Sequence, residues 1–553
     1  MTGIPNPPRA DGTERTRYGA KHWALALVAF FLVIFAWSMA APYDGTPDER
    51  EHIVRAAGVA EGQIAPPPAA AKKGTGAFQT VPGGLVRDQC WQFKPEVSAA
   101  CAQPPGSDDT PTRTGTGAGR YFPAYYALVG GPLALWPGWP GVLLARGISA
   151  LLGAALLAGA YVALRNRTRT GLLVGALVAA ATPMAMHMAS AVNPNGLEIA
   201  AGVAFFSAII PLLLGRHGGS IRGLLLLAGL SGLLLAVLRQ TGPLLVGTAF
   251  LAFAFPLRHS NLRALIRRPA VLAWAGGIIL ATLAALAWGV RQQTNYLGDY
   301  SRDSLTKGQA LLIESDRWRG YLDQIVGVTS WLDTRMPYPP YLIWHLVAGA
   351  LLVIGVLWGR VLDRVRLLVL LAGAVLIPSA LQVAKVNETG FITQGRYMLP
   401  LMTGVLLYAA WVAEQRGIAP AQARSYTRLA VLALLPIQLF CLAFTMVRWQ
   451  NGLPKNIGLS SLNPLKGDWH PVVGSATPLL AATLGLALFG WLAWTAARDT
   501  DAPADDTSAA APTAYADRNG SGEPLGTPRL QPQPAAGGLR STWTGDRAGE
   551  RSG

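Results

Sequence analysis

From Trp23 to Ala496 the chain returns again and again to apolar runs of the length that crosses a bilayer. About 20 such residues span a hydrocarbon core of roughly 30 Å. The runs are Trp23–Ala41 and then, approximately, 143–164, 171–191, 197–215, 222–238, 242–257, 270–290, 341–359, 366–384, 397–413, 429–447 and 472–496. A spanning segment must satisfy its own backbone polar groups, so these runs are expected to be helices. The predicted fold is an all-α polytopic membrane protein of about twelve transmembrane helices. Its long first exoplasmic loop is expected to contain short membrane-surface helices. Composition agrees: only 14% of residues are charged, against about a quarter in soluble domains. The net charge of +16 is carried by short basic clusters between the runs, where it orients helices. No nucleic-acid motif accompanies them, and nucleic acid is excluded as a partner.

The basic residues also give a sidedness. With the amino terminus inside, the short inner connections are 165–170, 216–221, 258–269, 360–365 and 414–428. Counting the flanking Arg222 and Arg366, they hold fifteen Arg and no Lys. The short outer ones (192–196, 239–241, 385–396) hold only Arg239, Lys385 and Arg396. This is the asymmetry of the positive-inside rule. Residues 1–21 are expected to be a disordered cytoplasmic tail, 22–496 the membrane core, and 497–553 a second disordered cytoplasmic tail. The long exoplasmic loops fall at about 42–143, 291–340 and 448–471. Ser38-Met39-Ala40 makes a passable signal-peptide site, but the later spans favour a retained first helix in the plasma (inner) membrane.

Directly after that helix, Thr46-Pro47-Asp48-Glu49-Arg50-Glu51-His52 puts four titratable groups into five residues. As local structure this is a helix start: Thr46 suits the N-cap, Pro47 the first helical position, and Glu49 completes a capping box. Asp48, His52 and Arg55 then share one face at i, i+4 and i+7. The same crowding at a membrane surface also suits chemistry, and both readings stand at this point. Cys90 and Cys101, with Trp91 and Phe93 between them, form a disulfide in an oxidising compartment; the alternative is two free thiols. Cys441 lies in an apolar run as a packed thiol, and His187 is placed as a helix-packing residue.

On the expected outer side the notable polar groups gather: Asp48, Glu49 and His52; Arg120 and Tyr121; Asn193 and Asn195 with Glu198; Arg239 and Gln240; and Gln394, Arg396 and Tyr397. Ionisable groups at span ends are costly unless paired or serving a water-filled site. Carboxylates beside arginines suit a phosphate and a reacting hydroxyl: Arg contacts phosphate bidentately, and a carboxylate serves as general base. The alternative for Arg239 and Arg396 is interfacial snorkelling. No zinc-spaced Cys/His cluster, P-loop or dinucleotide fingerprint is present.

Pro47 to Ala56 reads P-D-E-x-x-H-x-x-R-A after a retained span, and resembles the acidic first-loop signature of GT-C-type membrane glycosyltransferases. Arg120-Tyr121-Phe122-Pro123-Ala124-Tyr125-Tyr126 takes the place of their H-P-P-L-Y-Y-like segment, without the His. Together with Asn193-Pro194-Asn195-Gly196 and Gln394-Gly395-Arg396-Tyr397-Met398-Leu399-Pro400, the pattern is similar to the membrane-protein family "domain of unknown function 2142". The resemblance covers most of residues 22–415. It implies a GT-C-like core and a polyprenyl-phosphate-linked sugar as donor. The acceptor would be an envelope glycan, lipid or protein at the outer face of the bilayer. Asp48 or Glu49 would be the base and Arg396 a residue for the donor phosphate. His52, Arg55, Arg120, Tyr121, Asn193, Asn195, Arg239, Gln394 and Tyr397 would be further substrate contacts. A divalent metal (Mg or Mn) is the one cofactor it suggests. Family 2142 has no agreed reaction, so two alternatives stand beside this: a transporter or flippase of a lipid-linked saccharide, and a non-catalytic component of envelope polysaccharide assembly.

Overall fold

The computed structural model describes residues 18–68, 76–215, 221–254, 259–294, 304–454, 458 and 462–498. The expectations for the amino-terminal tail up to Arg17 and for the carboxy-terminal tail from Asp499 onward lie outside these residues. So do residues 69–75 of the proline-rich linker and 295–303 of the second long loop.

Each of the twelve apolar runs is helical over its described residues. In chain order the helices are α1 (Ala20–Ala40), α2 (Glu49–Ala60), α3 (Ala124–Val129), α4 (Gly131–Leu135), α5 (Trp139–Arg165), α6 (Leu172–Ala180), α7 (Pro183–Ala189), α8 (Pro194–Leu214) and α9 (Arg222–Leu238). Then follow α10 (Gly242–Ala254), α11 (His259–Ile266), α12 (Pro269–Arg291), α13 (Lys307–Val326), α14 (Tyr338–Trp358), α15 (Val361–Thr389), α16 (Leu399–Gln415), α17 (Pro420–Asn451) and α18 (Ala476–Arg498). The chain is a helical polytopic membrane protein. Among the described residues eight helices are long and apolar enough to cross a membrane, or nine if α6 and α7 count as one span. The expected total of about twelve is reached only by adding α9, α10 and α16, which are 17, 13 and 17 residues long.

The run expected as one span at 171–191 is broken, with α6 and α7 meeting at 64°. Pro183 opens α7, where it lacks an N–H to continue α6, and the Thr182 hydroxyl accepts the Ala185 N–H at 3.2 Å as its cap. Helix α8 is interior: it packs on α5, α9 and α16, and 18 of its 21 residues are buried. Helix α12 is peripheral, with none of its residues buried. It leans on α9, where the Trp274 ring fills the space a side chain on Gly229 would need. Helix α1 lies between α5 and α18.

The first long loop holds more than surface helices. Strands β1 (Ala77–Pro82) and β2 (Pro111–Thr116) pair antiparallel, Ala77 opposite Thr116. Cys90 and Cys101 are joined by a disulfide in the excursion between them. That excursion is held to the bundle by the buried Arg448 of α17, which donates to the carbonyls of Val97 and Trp91 at 2.8 Å and to Asp333 at 2.8 Å. Helix α2 packs on β1, α3 and α4. Gly130 permits this: a Cβ there would stand 2.2 Å from the Ala56 carbonyl oxygen. The loop expected at 291–340 contains the 20-residue α13, started by a Thr306/Gln309 capping box, and a second two-stranded pairing, β3 (Val328–Thr329) with β4 (Thr334–Arg335).

Candidate functional site

The turn between α1 and α2 decides the geometry. Asp44 and Asp48 both take left-handed backbone angles, φ 62° and 67°, a conformation aspartate tolerates better than most residues. Asp44 is buried; its carboxylate accepts the Arg50 N–H at 2.8 Å and the Gln92 amide, and its carbonyl accepts the Trp331 indole at 2.8 Å. This corrects the expected capping box. The N-cap of α2 is Asp48, with no side-chain cap bond, and the Thr46 hydroxyl is buried without a partner. The left-handed turn at Asp48 starts the helix two residues later and swings Glu49 into the interior.

There Glu49 meets Arg146 of α5. The guanidinium donates Nε to Oε1 at 2.7 Å and Nη2 to Oε2 at 2.6 Å. Its remaining donors go to the carbonyls of Ser38, Ala41 and Pro42 at 2.7–3.0 Å. Glu49 Oε1 also accepts the Val192 N–H at 3.2 Å. Both side chains are essentially inaccessible to solvent. Bidentate pairing with every donor used is what makes a buried ion pair tolerable. The sequence reading did not single out Arg146, though a lone arginine in the apolar run 143–164 signals a buried partner.

Asp48 faces the other way. Its side chain is 44% exposed, and Oδ2 accepts from Arg396 Nη2 at 2.6 Å. Arg396 follows α15 in a short 3-10 turn, Gly395–Tyr397. Gly395 has no room for a side chain, since a Cβ would stand 2.3 Å from the Tyr321 carbonyl oxygen. Unlike Arg146, Arg396 is poorly satisfied. Its other contacts, to Pro47 O, Met188 Sδ and Tyr397 OH, are all 3.4 Å long, and Nε has no partner although the side chain is buried. A guanidinium that uses its full fork on carbonyls is structural; one held by a single charge-assisted bond is available to an anion.

Arg239, just after α9, stands beside it. Its guanidinium lies over the Tyr397 ring at 4.2 Å, with Arg396 over the same ring at 5.3 Å. Glu198 Oε2 of α8 lies 3.6 Å from Arg239 Nη1, too far for a hydrogen bond. Burial opposes the Arg239 charge, but Glu198 and the neighbouring tyrosines hold it firmly protonated. Arg120, Tyr121, Arg239, Gln240, Thr241 and Thr294 line a cavity of about 200 Å³.

The other expected contacts divide. His52 bonds Tyr126 OH through Nδ1 at 2.8 Å and sits edge-on to Tyr121; burial pushes it down to about 3, so the ring is neutral. Tyr121 has its phenol pushed up by burial. Arg55 shares this face of α2; its Nε is unpaired like that of Arg396, but both its Nη groups are spent on the carbonyls of Gln63, Ile64 and Tyr121 at 2.7–3.1 Å. Arg120 donates to the carbonyls of Gly76 and Gln293. Asn193 caps α8, accepting the Asn195 N–H at 3.0 Å, and reaches back to the Pro47 carbonyl at 3.0 Å. Asn195 donates to Glu198 Oε2 at 3.0 Å. Gln394 precedes the 3-10 turn with its amide oxygen buried and unpaired. The tertiary structure thus gathers Asp48, His52, Tyr121, Asn193, Asn195, Arg239, Arg396 and Tyr397, with Arg120 lining the same cavity as Tyr121 and Arg239 and Gln394 joined to the group only through the turn it precedes. It leaves Glu49, Arg55 and the disulfide in the frame.

The donor set does not suit the divalent metal that the resemblance suggested. Glu49 is consumed by Arg146, and among the described residues no three His, Cys, Asp or Glu side chains are arranged to hold a metal.

The family model "Predicted membrane protein (DUF2142)" matches residues 30–405. No curated protein sequence matches the chain. Among solved structures, ArnT from Cupriavidus metallidurans in the apo state is 14% identical, covering 86% of this chain and 77% of that one, with a TM-score of 0.41. The same protein bound to undecaprenyl phosphate is 12% identical, covering 87% and 78%, with a TM-score of 0.41.

Proposed function

The chain belongs to the DUF2142 family of membrane proteins, and from the geometry around Asp48 we propose that it is an integral-membrane glycosyltransferase. It would transfer a sugar from a polyprenyl-phosphate donor to an envelope glycan, lipid or protein at the outer face of the plasma membrane. The observation that carries this reading is the Asp48–Arg396 pair: a half-exposed carboxylate against a buried, under-satisfied guanidinium, with Arg239 and a cavity of about 200 Å³ alongside.

In this mechanism Asp48 is the general base. It takes the proton of the acceptor hydroxyl as that oxygen attacks the anomeric carbon from the face opposite the phosphate. The bond between the anomeric carbon and the phosphate oxygen breaks, and polyprenyl phosphate leaves with the electron pair. Arg396 and Arg239 stabilise the charge that gathers on the phosphate. The configuration at the anomeric carbon inverts. Arg396 must turn from Asp48 to the phosphate for this, and that exchange frees the carboxylate to act as base. Glu49 takes no part, because Arg146 occupies both its oxygens. The broken α6–α7 span is the feature a transporter would exploit, but the titratable groups collect at helix ends, where transfer chemistry needs them.

The test is Asp48→Asn, which keeps shape and tolerance of the left-handed backbone. Transfer from a polyprenyl-phosphate sugar should fall about 100- to 10,000-fold, the usual cost of losing a general base, while the protein still accumulates in the membrane. Wild-type turnover per molecule by this variant would refute the assignment.

A further inference from the structure

Two buried acceptor oxygens behind the Arg239–Thr241 wall of the cavity have no donor within hydrogen-bond distance. Glu198 uses Oε2 to accept from Asn195, while its Oε1 makes no hydrogen bond. Asn195 turns Nδ2 to that carboxylate, which fixes the orientation of its amide and leaves Oδ1 as an unpaired acceptor. Both side chains are at least 98% buried, at 2% and 1% relative exposure. Leaving such atoms unpaired is unfavourable, and native structures rarely keep them without a reason.

Local structure supplies none. Asn193 already caps α8, so neither residue is needed to start the helix. Arg239 gives Glu198 a counter-charge at 3.6 Å but no hydrogen bond, and its own Nη1 is likewise without one. The Thr241 hydroxyl faces Glu198 as a weak donor and also lines the cavity with Arg239, so the carboxylate is only loosely satisfied from that side. Two acceptors and a guanidinium donor therefore meet behind the cavity wall, next to the aromatic face of Tyr397. Hydroxyl groups on adjacent carbons donate to carboxylate and amide oxygens, and their own oxygens accept from a guanidinium. The phosphodiester of a sugar-bearing donor has only acceptor oxygens and so finds no donor in these two residues.

We propose that Asn195 and Glu198 form the subsite that recognises hydroxyl groups of the transferred sugar, and so determine which donor is selected. The inference rests on the enzyme reading above, in which Arg396 engages the phosphate. It adds a second contact region for the part of the donor that differs between one polyprenyl-phosphate sugar and another.

The experiment measures equilibrium binding of the full chain in nanodiscs to bare undecaprenyl phosphate and to undecaprenyl phosphate carrying one hexose or one pentose. Tryptophan fluorescence is the readout, and thermal unfolding is followed in parallel. The wild type should bind one sugar-bearing lipid about tenfold or more tighter than the bare phosphate. Glu198→Gln and Asn195→Ser should each reduce that preference about tenfold, the loss of one charge-assisted or one neutral hydrogen bond in a buried site. Binding of the bare lipid should stay within about twofold. Asn195→Ser leaves the Glu198–Arg239 pair intact, so it remains informative if Glu198→Gln fails to fold. Equal weakening of bare and sugar-bearing lipids by the Asn195 variant, or no preference in the wild type, would overturn the subsite. Arg396→Gln addresses the other reading: it should weaken both lipids alike. Unchanged binding of bare undecaprenyl phosphate would count against the phosphate assignment rather than against the subsite.

Discussion

Replacing Glu49 by Gln separates the frame of the site from its chemistry. The substitution is nearly isosteric and removes one charge from a pair whose partners are 0% and 1% exposed. Arg146 would keep its three carbonyl acceptors but lose its counter-charge. The Gln amide can still accept one of the two guanidinium bonds, while its NH₂ would face the other donor. Removing one partner of a buried pair costs about 3–5 kcal/mol; with three carbonyls still in place the lower end, about 3 kcal/mol, is expected. The same change at Asp48 leaves water able to reach the site, since that carboxylate is 44% exposed. Arg396 is itself buried, so the cost exceeds that of a surface pair, but screening at the carboxylate and the Asn oxygen that can still accept hold it to about 1–2 kcal/mol. Membrane abundance and heat resistance of the detergent-purified protein should therefore fall clearly for Glu49→Gln and little for Asp48→Asn. Transfer per folded molecule should show the reverse order. A Glu49→Gln protein as abundant and heat-resistant as wild type would refute the role of this pair as the lock that positions Asp48. So would Asp48→Asn proving the less stable of the two.

Three further outcomes are expected. His52 is held neutral by burial, with its ordinary value of 6.5 pushed down to about 3. Between those values the unfolded chain binds a proton that the folded chain does not, so the contribution is full above about pH 6.5 and is lost as pH falls toward 3. His52→Gln should flatten the acid limb of the stability profile by up to about 5 kcal/mol, and an unchanged limb would count against a buried neutral ring. Thiol labelling of the unreduced protein should spare Cys90 and Cys101, and reduction should destabilise by about 3 kcal/mol on the chain-entropy model for a separation of 11 residues; labelling of both positions before reduction would contradict the bridge. Reporters fused after Arg169 or Arg268 should read cytoplasmic and one within 304–340 exoplasmic, and a single reversed reporter would overturn the proposed sidedness.

Much of the architecture is a property of segments, and segments are legible. Transfer of an apolar run into lipid depends on that run alone, so the described part of each of the twelve runs is helical, one of them as a broken pair. The helix after Pro47 and the shared loop of Cys90 and Cys101 were legible for the same local reason. Hydropathy did not show the break between α6 and α7, because the apolar run continues on both sides of Pro183. It also missed α13, β1 and β2, whose mixed polarity carries no single period. The roles of the acidic residues were the least legible. Asp48 and Glu49 are adjacent and alike in chemistry, and the local pattern offers Glu49 only a cap role that the structure does not use. Their fates are set by partners 348 and 97 residues away. A left-handed turn at Asp48 sends one carboxylate toward Arg396 at a cavity edge and the other into the closed fork of Arg146. The sequence by itself determined that the chain enters the membrane as helices and carries acids and arginines at their ends. Only the tertiary structure decided which charge is enclosed and which stays half-open, because desolvation and pairing of buried charges depend on distances that packing alone sets.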